Sequence, residues 1–166
     1  MSENHTITLW NSAGLRASAF STPAKINFFD SQFPNAKFSI AAFVETHHKD
    51  AFDYAYDLGQ YQQTHEILHS PVHNETHSGV ILLISKEYEI ISRNEVIPGR
   101  LYNVKLVKNR QSLNLSVFYG HQWGKMNKAE ISAVIDECFP LHNHHENNII
   151  LGDFNFVDLD IDKGKK

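Results

Sequence analysis

Two stretches of this chain, "FSIAAFV" at residues 38–44 and "GVILLIS" at residues 79–85, are seven residues long and almost free of polar side chains. A strand with one face in water alternates apolar with polar residues, so a run apolar at nearly every position is a strand covered on both faces. Covering both faces requires further elements above and below the sheet, which restricts the chain to a layered architecture.

The rest of the chain supplies those elements. "TITLWN", residues 6–11, reads as a first strand. "STPAKINFFDSQF" reads as a helix, with Ser21 or Thr22 as cap, Pro23 in the first turn, and Ile26, Phe29 and Phe33 at helical spacing. Residues 47–77 are polar and turn-prone, with one short helix expected over residues 50–58. "YEIIS" is expected to pair antiparallel with "GVILLIS" across a turn at Lys86 and Glu87, and Pro98-Gly99 launches "RLYNVKLV". "SLNLSVFY" alternates, with Leu113, Leu115, Val117 and Tyr119 on one face. A second helix is framed by Asn127 as cap and Glu130 three residues on, carries the stripe Ile131, Val134, Ile135, Cys138 and Phe139, and stops at Pro140. "NNIILGD" closes the series, with Ile149 to Asp153 expected as a buried strand. Strands outnumber helices and helices intervene between some of them, which points to an α/β sandwich of mixed sheets rather than an up-and-down barrel.

With 166 residues the chain is expected to form one domain, residues 1–166. The net charge of −4 gives no global basic field for nucleic acid, although a local groove can still be basic. One cysteine, Cys138, excludes an internal disulfide, and the first ten residues lack the pattern of a signal peptide. No stretch has the length to span a bilayer, so an intracellular protein without a membrane partner, nuclear or cytoplasmic, is the expectation. The 11 histidines sit mostly beside polar residues and are expected in exposed loops. Neither a Cys pair nor a tight His-x₃-His helix frames a zinc site among them, since Ser70-Pro71 interrupts the run His65, His69, His73, His77.

Three strands end in the same manner, on Asn11, on Glu45-Thr46, and on Gly152-Asp153-Phe154-Asn155. Strand ends in layered α/β folds are where a rigid scaffold meets solvent and polar groups converge on a ligand. Taken singly, Asn11 reads as a turn residue, Glu45 as a solvated terminus and Asp153 with Asn155 as an Asx-turn. Tyr119 reads equally as a core aromatic.

As an ordered set, "LWNSAGLR", "FVET", "SGVILLIS", "GRLYNVKL", "LSVFYGH" and "ILGDFN" resemble the endonuclease/exonuclease/phosphatase superfamily, which includes exonuclease III-type apurinic endonucleases and DNase I. "WNSAGLR" and "GDFNFVDLDID" look most like the endonuclease domains of LINE-type retrotransposons, with Asp162 at an acidic position and Lys163 where that branch often has Arg. The resemblance implies a four-layer DNase I-like sandwich of two packed mixed sheets. It also implies a Mg²⁺-dependent phosphodiesterase that nicks DNA, with Mn²⁺ as a substitute cation and a reverse-transcriptase domain as companion in a parent polyprotein. Glu45 is then the metal ligand, with Asn11 supporting the metal or orienting the site. Asp153 lies by the attacking water or leaving oxygen, Asn155 donates to a phosphate oxygen, and Tyr119 touches the phosphate. Mg²⁺ suits such a set because it takes only one or two protein carboxylates and fills its octahedron with water and phosphate.

The family pattern closes on a Ser-Asp-His triplet, which does not occur in these 166 residues. The expectation is therefore a fold truncated after the Gly-Asp-Phe-Asn element, with weak or no turnover and a large apolar face left open on strands such as "FSIAAFV". A superfamily phosphatase, or a remnant that binds nucleic acid or protein without cutting, are the competing readings. The basic groups Lys105, Lys108 and Arg110 around a hairpin, and Lys163, Lys165 and Lys166, are read as solvated surface before DNA contacts.

Overall fold

The computed structural model describes residues 6–15, 21–34, 37–49, 58–71, 78–120, 128–138 and 147–155. Among the described residues eight strands form two four-stranded sheets. The first sheet holds β1 (Ile7–Asn11), β2 (Ile40–Val44), β4 (Val80–Ser85) and β3 (His65–Ser70), in that spatial order. The second holds β5 (Glu89–Ile97), β6 (Leu101–Lys108), β7 (Gln111–Tyr119) and β8 (Asn147–Asp153). Both sheets are mixed, because β1 pairs parallel with β2 and β7 parallel with β8 while the other pairings are antiparallel.

The sheets pack face to face through one apolar core. Ile40, Ala42 and Val44 from β2 and Val80, Leu82 and Ile84 from β4 meet Val104 and Leu106 from β6 and Leu115, Val117 and Tyr119 from β7. The alternate residues of β2 and β4 point the other way, into a second core under α1 (Ser21–Gln32). There Phe29 lies 4.9 Å from Phe43 and stacks on Trp10 at 5.7 Å, with Ile26, Phe38 and Tyr61 around them. On the far side α2 (Lys128–Cys138) brings Val134 onto Ile97, Leu101 and Phe118. Helix, sheet, sheet and helix make the four layers of a DNase I-like sandwich.

Several expectations need correction. "YEIIS" does not pair with β4; it begins β5, which crosses to the second sheet and pairs with β6, while β4 lies between β2 and β3. The segment from His65 to Ser70 is a strand, not a loop, and it places Leu68 in the core between the sheets and Ile67 against the core under α1. Its polar residues hid the strand from a reading based on apolar runs. The histidines are not uniformly exposed, since His48 and His65 are buried. No apolar face of β2 is open: all five of its residues are buried, between the sheets on one side and under α1 on the other. Residues 149–153 of β8 are only half-buried, because that strand lies at the edge of its sheet among the described residues.

Asn127 and Phe139, residues 50–57, Asp162, His73, His77, Lys163, Lys165 and Lys166 fall outside the described residues, as do the side chains of Glu130, Ile135 and Cys138. Among the described residues no helix is long and apolar enough to cross a membrane.

Candidate active site at the rim of the two sheets

Each sheet contributes its one parallel pair to the same edge of the sandwich. Parallel strands end at the same level, so the carboxyl ends of β1 and β2 lie together, as do those of β7 and β8, where Asn11 pairs with Val44 and Tyr119 with Asp153. The two pairs meet across the space between the sheets. Asn11 Nδ2 donates to Asp153 Oδ2 at 2.6 Å, joining residues 142 positions apart. The Tyr119 hydroxyl lies near the Glu45 carboxylate, whose charge acts on it. Asn11, Glu45, Tyr119 and Asp153, drawn from four strands, therefore converge at one rim.

Each side chain is held in place. Asn11 Oδ1 accepts from the backbone N–H of Ala13 at 2.9 Å, so the amide is fixed at both ends. Asp153 Oδ1 accepts from the backbone N–H of Asn155 at 3.1 Å, an Asx-turn that aligns the carboxylate through both oxygens. Asn155 is exposed, adjacent to Asp153, with a left-handed φ of 45°. Tyr119 is a core aromatic, 1% exposed, with its hydroxyl reaching the rim. Burial first, then the neighbouring Glu45 and Asp153 charges, push its pKa well above the usual tyrosine value, so it stays a protonated donor.

The backbone around the rim is unusual. Among the described residues six non-glycine positions have positive φ, and four of them, Ala13, Glu45, His47 and Asn155, are at this edge. The other two, Asn109 and Arg110, form the β6–β7 turn, where left-handed residues match the twist of the strands. A left-handed non-glycine residue costs about 1–3 kcal/mol, and such positions gather where a side chain must be aimed. Ser12 stabilises the aim of Glu45: its Oγ donates to the carbonyls of Val44 at 3.0 Å and Glu45 at 3.1 Å. Lys25 of α1 donates to the carbonyls of Ser12, Ala13 and Gly14 at 2.7–2.9 Å and ties down the loop after β1.

Ser12, Lys25, His47 and Arg100 were not assigned roles from the sequence. His47 Nε2 lies 3.7 Å from Glu45 Oε1, and the position directly after Glu45-Thr46 was the available signal. Arg100 is 8% exposed, accepts from the Tyr119 N–H through its carbonyl at 2.8 Å, and opposes the upward push on the Tyr119 hydroxyl. An arginine directly after a Pro-Gly turn was its signal. The hairpin with Lys105, Lys108 and Arg110 is at the opposite end of β7 from Tyr119, roughly 25 Å away along the strand. Lys108 there is paired with Glu87 at 2.7 Å.

The donor set is made of hard oxygens, and among the described residues no three of His, Cys, Asp and Glu group into a closed cage. Such a set fits a cation like Mg²⁺, which needs few protein ligands, and does not fit structural zinc. Glu45 and Asp153 are the carboxylates at this rim that face such a cation.

No protein-family model and no curated protein matches the sequence. Solved structures do. TDP2 from C. elegans superposes with a TM-score of 0.60 at 16% identity, over 95% of this chain and 51% of that one. D. rerio TDP2 complexed with single-strand DNA product gives 0.63 at 12% identity, over 95% of this chain and 63% of that one. The AP endonuclease LMAP from Leishmania major gives 0.66 at 14% identity, over 98% of this chain and 58% of that one. This chain thus spans between half and two thirds of the length of these structures, and at such identities the likeness is one of fold. Two packed mixed sheets, helices on both outer faces and these structural neighbours together give the chain the fold of the endonuclease/exonuclease/phosphatase superfamily.

Proposed function

We propose that this chain belongs to a metal-dependent nuclease that hydrolyses the DNA backbone. The observation that carries the reading is the convergence of Asn11, Glu45, Tyr119 and Asp153 at one rim, with Asn11 bonded to Asp153 across the two sheets. Similarity in fold to AP endonucleases and to a TDP2 holding a DNA product supports DNA as the substrate class. Because the chain spans only part of those structures, the activity of the whole domain is part of the proposal. The pairing of "WNSAGLR" with "GDFNFV" supports a retroelement origin, a reverse-transcriptase domain as companion, and a nuclear or cytoplasmic location.

The chain's own groups divide the work. Asp153, with both oxygens already aligned, orients a water or the leaving oxygen of a phosphodiester. Asn155 presents a neutral amide that donates to a phosphate oxygen without adding negative charge. Tyr119 and Ser12 keep Glu45 in one place, and Asn11 does the same for Asp153. Mg²⁺ or Mn²⁺ held by Glu45 would supply positive charge for the non-bridging oxygens and the leaving group.

Supercoiled plasmid with Mg²⁺ tests the reading. Weak nicking by the wild-type chain, lost in Glu45→Ala and in Asp153→Ala, is the expected result. Nicking unaffected by either substitution would discard the site. Salt-sensitive DNA binding without any nicking would leave a binding remnant instead.

A further inference from the structure

Glu45 does not take its left-handed conformation alone. It is the first residue of a turn in which Glu45 and His47 have φ of 56° and 62°, with the fully buried Thr46 between them. Two backbone bonds anchor that turn to the segment before β4: Thr46 N–H to Gly79 O at 3.2 Å and His47 N–H to Ser78 O at 3.0 Å. A third, Gly14 N–H to Glu45 O at 2.7 Å, ties it to the loop after β1. Gly79 in turn donates to Gly99 O at 2.9 Å, and the neighbouring Arg100 carbonyl accepts from Tyr119. A run of backbone bonds therefore links the turn bearing Glu45 to Tyr119.

Contact at the centre of this run is unusually close. Gly79 has φ of +107°, and a Cβ there would fall inside the van der Waals radius of Thr46 Oγ1. Thr46 Oγ1 is buried and makes no hydrogen bond among the described residues. A buried hydroxyl without a partner contributes nothing by bonding, and its desolvation counts against the fold. What it does provide is shape, filling the hollow above Gly79 and fixing where the turn sits.

We propose that Thr46 and Gly79 are positioning residues, a side chain seated on a glycine, that set where the Glu45 carboxylate stands at the rim beside Tyr119. Any alanine at position 79 displaces Thr46, and Glu45 moves with it. The consequence for DNA cleavage rests on the nuclease reading above, whereas the Glu45–Tyr119 contact does not.

The test reads that contact directly. In chain labelled with ¹³Cζ-tyrosine, the Tyr119 resonance is assigned with Tyr119→Phe, and its shift in Glu45→Ala defines complete loss of the contact. Gly79→Ala, kept folded by circular dichroism, is expected to move the Tyr119 resonance at least half as far. The double variant Gly79→Ala/Thr46→Ala removes the opposing hydroxyl and should bring the resonance back toward wild type. Should Gly79→Ala fail to fold, Thr46→Val, which presses a methyl group onto Gly79, is expected to move the same resonance while Thr46→Ser leaves it in place. A Tyr119 resonance unmoved in folded Gly79→Ala, or unmoved in Thr46→Val, would overturn the proposal. On the nuclease reading, Gly79→Ala also lowers kcat for nicking by up to about a hundredfold with KM little changed. A moved resonance with unchanged nicking would count against the nuclease reading and leave the positioning role standing.

Discussion

The two sheets follow one plan and are buried very differently. Each has four strands and one parallel pair whose carboxyl ends reach the rim. In the first sheet β2 is buried along its whole length and β4 along all but its last residue, with an aromatic cluster under α1 closing the outer face. In the second, β5 is exposed over most of its nine residues and β8 is half-buried. The rim therefore has a rigid half carrying Glu45 and a more open half carrying Asp153 and Asn155. On the nuclease reading proposed above, a carboxylate that holds a cation gains from the first setting, and groups that meet substrate gain from the second.

Substitutions on the two outer faces put this contrast at risk. Phe43 and Phe118 are both fully buried, each on the outer face of its sheet. Phe→Ala in a core costs about 3–5 kcal/mol, and Phe43→Ala, within the denser aromatic cluster, is expected near the top of that range with Phe118→Ala near the bottom. Equal losses in urea unfolding would show the two faces to be equally packed. A smaller effect, about 1–3 kcal/mol, is expected from Gly152→Ala, since its Cβ would run into the Phe118 carbonyl of the paired strand. The strand beside Asp153 would shift, so nicking should fall by more than the stability loss accounts for. Smallest of all, Ile91→Ser on β5, where Ile91 is 50% exposed, should change stability by no more than about 0.5 kcal/mol.

Acid should strike the first sheet in particular. His65 opens β3, its Nε2–H donating to the Phe38 carbonyl at 3.1 Å and its Nδ1 lying 2.8 Å from Thr64 Oγ1, and burial lowers its pKa from the usual 6.5. The unfolded chain then binds the extra proton first as pH falls, so the contribution is intact above pH 6.5 and is lost as pH drops toward and through the lowered folded value. His65→Gln should flatten the decline in urea midpoint between pH 7 and 5. An unchanged slope would assign the acid sensitivity elsewhere.

How much of this was legible depended on how strongly each residue's neighbours in sequence announced it. The apolar runs of β2 and β4 declared buried strands, and the alternation in β7 declared its inward face, with Leu115, Val117 and Tyr119 where expected. β3 stayed hidden because His65, Glu66, His69 and Ser70 outnumber its apolar residues. The destination of β5 was misread because a tight turn at Lys86 and Glu87 suggests a hairpin, and nothing local says that the next strand changes sheets. Tyr119 stands where its parity with Leu115 and Val117 put it, with its ring in the core between the sheets.

By itself the sequence determined the layered α/β class, because hydrophobic period is a local property that each strand and helix carries in its own residues. It also determined which residue types end the strands. Only the tertiary structure decided that Asn11 bonds Asp153 and that Tyr119 stands beside Glu45, since those pairs depend on two sheets stacking in one register. It alone decided as well that Thr46 rests on Gly79, a contact between a turn and a segment more than thirty residues further on. Such contacts are set by the packing of surfaces that no short stretch of chain contains, and on them depends whether four scattered polar residues become one site.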